Sequence, residues 1–290
     1  MNVQHVSKLI HHRLILKDID FTIESGSIIG IVGRNGAGKT TLLRTMAGIL
    51  NPTSGDVLVK NKSIFQHPQL KEQIIFVPDS TEAMKNYSTK EMIFLYKTIY
   101  PGFDEAYMRE LMERFQLEQI NKIGNYSKGM KALFQLIAAF ATGASYILLD
   151  EPTDGLDVIV KRQVLQLLVE EVAEKDLSVL ISSHRLDELE FMADEIIMIR
   201  DGEVDSHYKL GDLSSRYRKA QLVPSSPLPD HILSSLYVLD KTGRVMTILF
   251  EADSSIEKEL EQSNPVLFET LPLSLEDYFV AKLGGDRLAE

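Results

Sequence analysis

The stretch SIIGIVGRNGAGKTTLLRTMAGIL, residues 27–50, admits few folds. SIIGIV is a short apolar run rich in β-branched residues, and KTTLLRTMAGIL has helical spacing, ended by Gly48 and the turn NPTSG. Between them GRNGAGKTT fits G-x-x-x-x-G-K-[ST] in the context that pattern needs, after a buried strand and at the head of a helix. Its glycines let successive backbone N–H groups turn inward around a phosphate, and the helix N-terminus adds positive potential. Gly33, Arg34, Asn35, Gly36, Ala37, Gly38, Lys39, Thr40 and Thr41 are thus the candidate nucleotide-binding loop. In such a loop Lys39 reaches the β and γ phosphates and Thr40 supplies a Mg²⁺ ligand.

Residues 19–60 read as strand, strand, loop, helix, turn, strand, and IIFVP (74–78) as a further buried strand stopped by Pro78. From about 84 to 142 the texture turns helical. Ser88 and Glu91 stand at capping-box spacing, Asp104 is placed to cap a second helix through Phe115, and a third, apolar on nearly every side, starts at NYSKGMK. Strands and helices alternate again from 146: YILLD, a helix over 158–175, SVLIS, a helix over 185–193, and EIIMIR, which Asp201-Gly202 turns into a hairpin. This alternation predicts an α/β fold, a mostly parallel sheet covered on both faces and interrupted by the helical block. Past 212 the style changes. LVPSSPLP reads as a linker or irregular edge, and a hairpin, a helix over 254–262, a strand VLFET and a helix around SLEDYFVAKL follow as a small α+β unit.

Two further segments carry chemistry. YILLDEP ends in adjacent carboxylates at the C-terminal end of a buried strand, where open α/β sheets place their ligands. Asp150 is suited to hold Mg²⁺ through water, and Glu151 to orient and deprotonate an attacking water. His184 follows SVLIS at the same edge of the sheet, beside the inferred γ phosphate, which makes it a catalytic candidate rather than a structural histidine.

The charge balance of −11 argues against nucleic acid as a partner, because phosphate binding wants a basic surface. With no cysteine, a thiolate metal site or cysteine nucleophile is excluded. The N-terminal MNVQHVSKLIHHRLIL lacks the pattern of a signal peptide, and nowhere do about 18 apolar residues run together, so a membrane role would require docking onto another polypeptide.

The phosphate loop, then YSKGMK, then ILLDEPTDGLD, then SSH resemble the ATP-binding cassette (ABC) ATPases in order and spacing, over residues 1 to about 210. The resemblance implies a P-loop NTPase (RecA-like) core in a nucleotide-binding domain over 1–212, with a helical subdomain over 84–142 and an accessory domain over 213–290. It makes the loop and YILLDEP the Walker A and B motifs, and ATP and Mg²⁺ the cofactors. It also implies a head-to-tail dimer, as a homodimer or with a related ATPase. Ser127, Lys128, Gly129 and Met130 then form the signature turn, which closes over the nucleotide of the other subunit; Asp157 couples the two sites. Such subunits work at the cytoplasmic face of the membrane with a separate permease. The C-terminal unit resembles ATPase subunits of Gram-positive exporters of peptides and antibiotics. A soluble cassette factor acting on ribosomes or DNA is the alternative; those carry tandem cassettes or long coiled-coil inserts, which are absent here.

Three positions depart from the family pattern. Ile10, with His11 and His12 beside it, stands where a tyrosine usually stacks on adenine. Asp79 replaces a glutamine that touches Mg²⁺ and the attacking water. Its carboxylate can still accept a water or metal bond, which keeps it a candidate metal ligand with Thr40 and Asp150, but it adds a negative charge beside a triphosphate. Lys128 and Met130 replace a glycine-type and a glutamine position of the signature, leaving Ser127 and Gly129.

Overall fold

A computed structural model describes residues 1–252 and 255–283. The chain divides into two compact units, Met1–Arg185 with Met192–His207, and Leu186–Phe191 with Tyr208–Glu290.

The first unit carries two sheets. Strands β1 (Asn2–Ile10), β2 (Arg13–Thr22), β4 (Ser54–Val59) and β5 (Lys62–Ser63) form an antiparallel sheet in the order β2-β1-β4-β5. Strands β3 (Ile28–Val32), β6 (Ile74–Val77), β7 (Tyr146–Asp150), β8 (Ser178–Ser182), β9 (Glu195–Arg200) and β10 (Glu203–Lys209) form the second, in the order β10-β9-β3-β8-β7-β6. Its pairs β3–β8, β3–β9, β6–β7 and β7–β8 are parallel, as expected. Every residue of β3 and β8 is buried, which explains their unbroken apolar sequence. Asp201 and Gly202 both take positive φ between β9 and β10, as a tight hairpin requires.

Helix α1 (Lys39–Met46) packs into one core shared by both sheets. Leu42, Leu43 and Met46 lie fully buried in the same cluster as Val3, Leu16, Ile31 and Leu180. Each such side chain contributes about 1.5–3 kcal/mol. The helix opening at the phosphate loop is therefore held rigidly from two sides.

Strand β1 and the first half of β2 were not expected from the sequence. The reason is local: Val3 and Val6, the fully buried residues of β1, are three apart, because the pairing with β2 shifts register between them and His5 takes φ 48°. A bulge of this kind hides the period-two signal.

The helical block consists of α2 (Thr89–Ile99), α3 (Glu105–Arg114) and α4 (Lys128–Ala141). Both halves of the Ser88–Glu91 capping box are made, and Asp104 caps α3 by accepting from the Tyr107 N–H. Helix α5 (Val158–Glu174) carries Glu171, a buried acid whose carboxylate accepts from the Tyr107 hydroxyl and from Lys175 Nζ at 2.9 Å. Arg114 reaches Glu170 at 2.7 Å, a second tie between α3 and α5.

Helix α6 (Leu186–Met192) lies between β8 and β9 in sequence. The second unit continues with α7 (Leu213–Arg216), β11 (Tyr217–Val223), α8 (Asp230–Leu233), β12 (Tyr237–Thr242), β13 (Val245–Glu251), α9 (Ile256–Gln262), β14 (Leu267–Leu271) and α10 (Leu275–Leu283). Its sheet runs β12-β13-β11-β14 over a core of its own that includes Ala220, Leu222, Ile248 and Phe250. The expected linker LVPSSPLP in fact begins inside β11, a strand with partners on both sides. The polar YRKAQ conceals it: only Ala220 and Leu222 of the strand are buried. Helix α9 starts at Ile256; Ser254, where the sequence placed its start, lies outside the described residues. Lys282 of α10 sets its ammonium 5.0–5.8 Å from the ring centres of Tyr217, Tyr237 and Tyr278.

Candidate nucleotide site

The register of the parallel sheet brings three strand ends together: Ile31 of β3 and Asp150 of β7 both lie opposite Ser182 of β8. The chain leaves β3 into the phosphate loop. Gly33 is needed because a Cβ there would lie 2.4 Å from the Ile199 carbonyl oxygen, and Gly38 because it enters α1 at φ 109° with Leu16 close behind it. Lys39 folds across the loop and donates to the Gly33 carbonyl at 2.7 Å. Burial lowers its proton affinity, while Glu151 and then Asp150 pull the other way.

Thr40 Oγ1 donates to Asp150 Oδ1 at 3.0 Å, and Ser182 Oγ donates to the same oxygen at 2.6 Å. Asp150 is 3% exposed, so these hydroxyls are what keep its charge tolerable in the sheet. Glu151 follows at φ 49°, a left-handed conformation that costs a non-glycine residue about 1 kcal/mol or more. Its N–H donates to the backbone oxygen and hydroxyl of Ser182, at 3.1 and 3.2 Å. The turn thus sends the two adjacent carboxylates to different partners. Glu151 Oε2 lies 2.7 Å from His184 Nδ1 and accepts from the His184 N–H at 3.3 Å. Lys39, Thr40, Asp150, Glu151 and His184, all read from the sequence, therefore converge. Ser182 was missed, since nothing in SVLISSH marks one serine as the residue that holds both acids.

The remaining candidates stand elsewhere. Ser127 caps α4 by accepting from the Met130 N–H at 3.2 Å. Gly129 is buried against α5, where a Cβ would lie 2.8 Å from Val160 Cγ1. Lys128 Nζ lies 3.7 Å from Asp154 Oδ2, both side chains being exposed. Asp157 caps α5, accepting from the N–H groups of Ile159 and Val160 at 3.0 Å. Asp79 is exposed at the end of β6. Ile10 ends β1 opposite Arg13, across a two-residue turn in which His11 and His12 both take positive φ. Neither Ser127 nor Asp157 is hydrogen-bonded to the phosphate loop of its own chain.

The model of the family described as ABC transporter matches residues 16–154. The ABC transporter ATP-binding protein YtrB of Bacillus subtilis is 37% identical over 289 residues, spanning 99% of both chains. The chain belongs to the ABC transporter ATPase family. The bacitracin transport ATP-binding protein BcrA of Bacillus licheniformis is 27% identical to this cassette, over 97% of this chain and 96% of its own. Among solved structures, an ATP-binding subunit of an ABC transporter superposes with a TM-score of 0.67 at 25% identity, covering 74% of this chain and 91% of that one. A dimeric cassette in a post-hydrolysis state, bound to ADP and Pi, gives 0.61 at 25% identity over 72% and 98%.

The cassette is thus an ATPase that binds ATP with Mg²⁺. The residues fit that ion: the Thr40 hydroxyl and Asp150 carboxylate form an oxygen pair suited to a hard cation, and they are the groups that would hold it. When bound, Mg²⁺ neutralises charge on the phosphates. Lys39 and the backbone N–H groups of the loop are suited to a triphosphate, and the Glu151 carboxylate, held by His184, is suited to accept the proton of a water.

Proposed function

We propose that this cassette powers a separate membrane permease, pairing with a second ATPase subunit so that two ATP molecules lie between them. Glu151 acts as general base and His184 as its orienting partner. Thr40 and Asp150 hold Mg²⁺, and Ser127–Met130 act on the nucleotide of the other subunit. The observation that carries the reading is the convergence of Lys39, Thr40, Asp150, Glu151 and His184 at the ends of β3, β7 and β8.

Two features support a membrane partner. Among the described residues no helix is long and apolar enough to cross a bilayer, so transport requires another chain. Helix α2 nevertheless exposes Phe94 (72%), Leu95 and Ile99, and Ile99 borders a groove of about 440 Å³ shared with Ile49, Phe76 and Tyr100. An unpartnered apolar strip of this kind suits an amphipathic segment of a permease. In that setting the cassette sits at the cytoplasmic face of the membrane. Export of peptides or antibiotics is the direction and cargo class we infer, supported by the near full-length likeness to the bacitracin transport ATP-binding protein.

The test is co-expression of the tagged chain with its candidate permease and purification from detergent-solubilised membranes. A stoichiometric complex, lost in Phe94→Asp while ATP binding persists, is expected. A chain that recovers no membrane polypeptide, or that co-purifies with ribosomes instead, would contradict the proposal.

A further inference from the structure

Two of the positions that depart from the family pattern, Asp79 and Lys128, line the same small cavity, of about 50 Å³. The sequence separates them by 48 residues, and nothing in it ties one to the other. Three carboxylates line this cavity, Asp79 after β6, and Glu151 and Asp154 after β7, and Lys128 is the one cation among its lining residues.

Neither residue is explained by local structure. Lys128 is the first residue of α4, at the positive end of the helix dipole, where an acid is favoured and a cation is disfavoured. Its helix gains nothing from it, since Ser127 already supplies the cap. The side chain turns instead toward the turn after β7: its ammonium lies 3.7 Å from Asp154, and a Cβ on Gly155 would come within 2.3 Å of it. Asp79 in turn makes no hydrogen bond or ion pair among the described residues, so it is not a turn cap. A free carboxylate beside the catalytic Glu151 repels an incoming triphosphate unless a cation offsets it.

We propose that Lys128 is the counter-ion of this acidic cavity, a positioning residue that offsets Asp79 and keeps the surroundings of Glu151 compatible with a bound triphosphate. The two departures are then one exchange of charge: a carboxylate gained at the end of β6 and an ammonium gained at the head of α4. This inference rests on Glu151 as the hydrolytic base, and it adds a charge role within its own chain to the part Lys128 takes in the Ser127–Met130 turn.

The test is a double-mutant cycle on MgATP hydrolysis by the full-length chain. Lys128→Met should lower kcat/KM about fivefold, a coupling of ordinary size for residues sharing one charged site. Lys128→Arg, which keeps the charge, should lose less activity than Lys128→Met. Asp79→Gln should have a smaller effect on kcat/KM when Lys128 is present than in the Lys128→Met background, where it should restore about fivefold. The coupling should shrink when salt is raised from about 0.1 M to about 1 M, which shortens the Debye length from about 10 Å to about 3 Å. Equal effects of Asp79→Gln in both backgrounds, a coupling indifferent to salt, or a loss in Lys128→Arg as large as in Lys128→Met would overturn the proposal. Loss of activity in Glu151→Gln, measured alongside, reports on the underlying site and is independent of the cycle.

Discussion

His184 Nδ1 lies 2.7 Å from Oε2 of Glu151, and the backbone N–H of His184 points at the same oxygen from 3.3 Å. One histidine thus fixes the direction of the carboxylate with both its ring and its main chain. Strand β8 makes this possible. It ends at Ser182, which takes the Glu151 amide, and the chain runs on at once to His184. The carboxylate and its histidine partner are set by the register of two neighbouring strands rather than by a mobile loop.

Ser182 therefore bears on both acids. Ser182→Ala removes a 2.6 Å hydrogen bond from the buried Asp150 and one acceptor from the Glu151 amide. The expected loss is about 1–3 kcal/mol of unfolding free energy, with a parallel fall in turnover. Denaturant unfolding and steady-state ATPase measurements check this; an unchanged midpoint and unchanged turnover would remove Ser182 from the site.

Gly129 is explained by packing. Gly129→Ala would bring a methyl within 2.8 Å of Val160 Cγ1, and overpacking of this kind costs about 1–3 kcal/mol. Val160→Ala in the same chain should recover most of it. If the second substitution brings no recovery of melting temperature, the glycine serves something other than the contact between α4 and α5.

How much of this was legible in the sequence depended on whether a signal was local. The phosphate loop, the Ser88–Glu91 box and the Asp201-Gly202 hairpin each lie within a few consecutive residues, and each is found where expected. Ser182, the shared cavity of Asp79 and Lys128, and the contact of Gly129 with Val160 depend on which strands and helices are neighbours, so single-segment patterns did not show them. Strands β1 and β11 were hidden for opposite reasons, one by a bulge that breaks alternation and the other by polar residues on its open face.

Lys39 gives the site a pH dependence. Burial lowers its proton affinity below the ordinary lysine value of 10.5 in the nucleotide-free loop, with Glu151 and Asp150 opposing. A bound triphosphate restores that affinity, so binding takes up a proton once pH enters the range where free Lys39 begins to titrate. ATP affinity should therefore fall as pH rises through that range. In Lys39→Arg, whose guanidinium stays charged, the binding that remains should not change there. Identical pH profiles for the two proteins would show that another group titrates.

The signature turn is tested by mixing two damaged chains. Lys39→Ala should abolish nucleotide binding, and Ser127→Arg should place a bulky group where a γ phosphate must approach. A mixed dimer then has one site with both defects and one with neither. In a Glu151→Gln background it should occlude one ATP per dimer, which neither variant achieves alone. Mixed dimers that form without occluding nucleotide would mean that Ser127 does not act across the interface.

The most direct measurement is on Glu151 itself. Glu151→Gln keeps the shape of the turn after β7 and removes the base, so ATP affinity should persist while hydrolysis falls by roughly 10²–10⁴-fold. In the proposed cycle hydrolysis reopens the closed pair, so the variant should elute as a dimer with ATP and as a monomer without it. Near-normal turnover in Glu151→Gln, with no ATP-dependent dimer, would contradict the assignment of Glu151 as the base and the mechanism built on it.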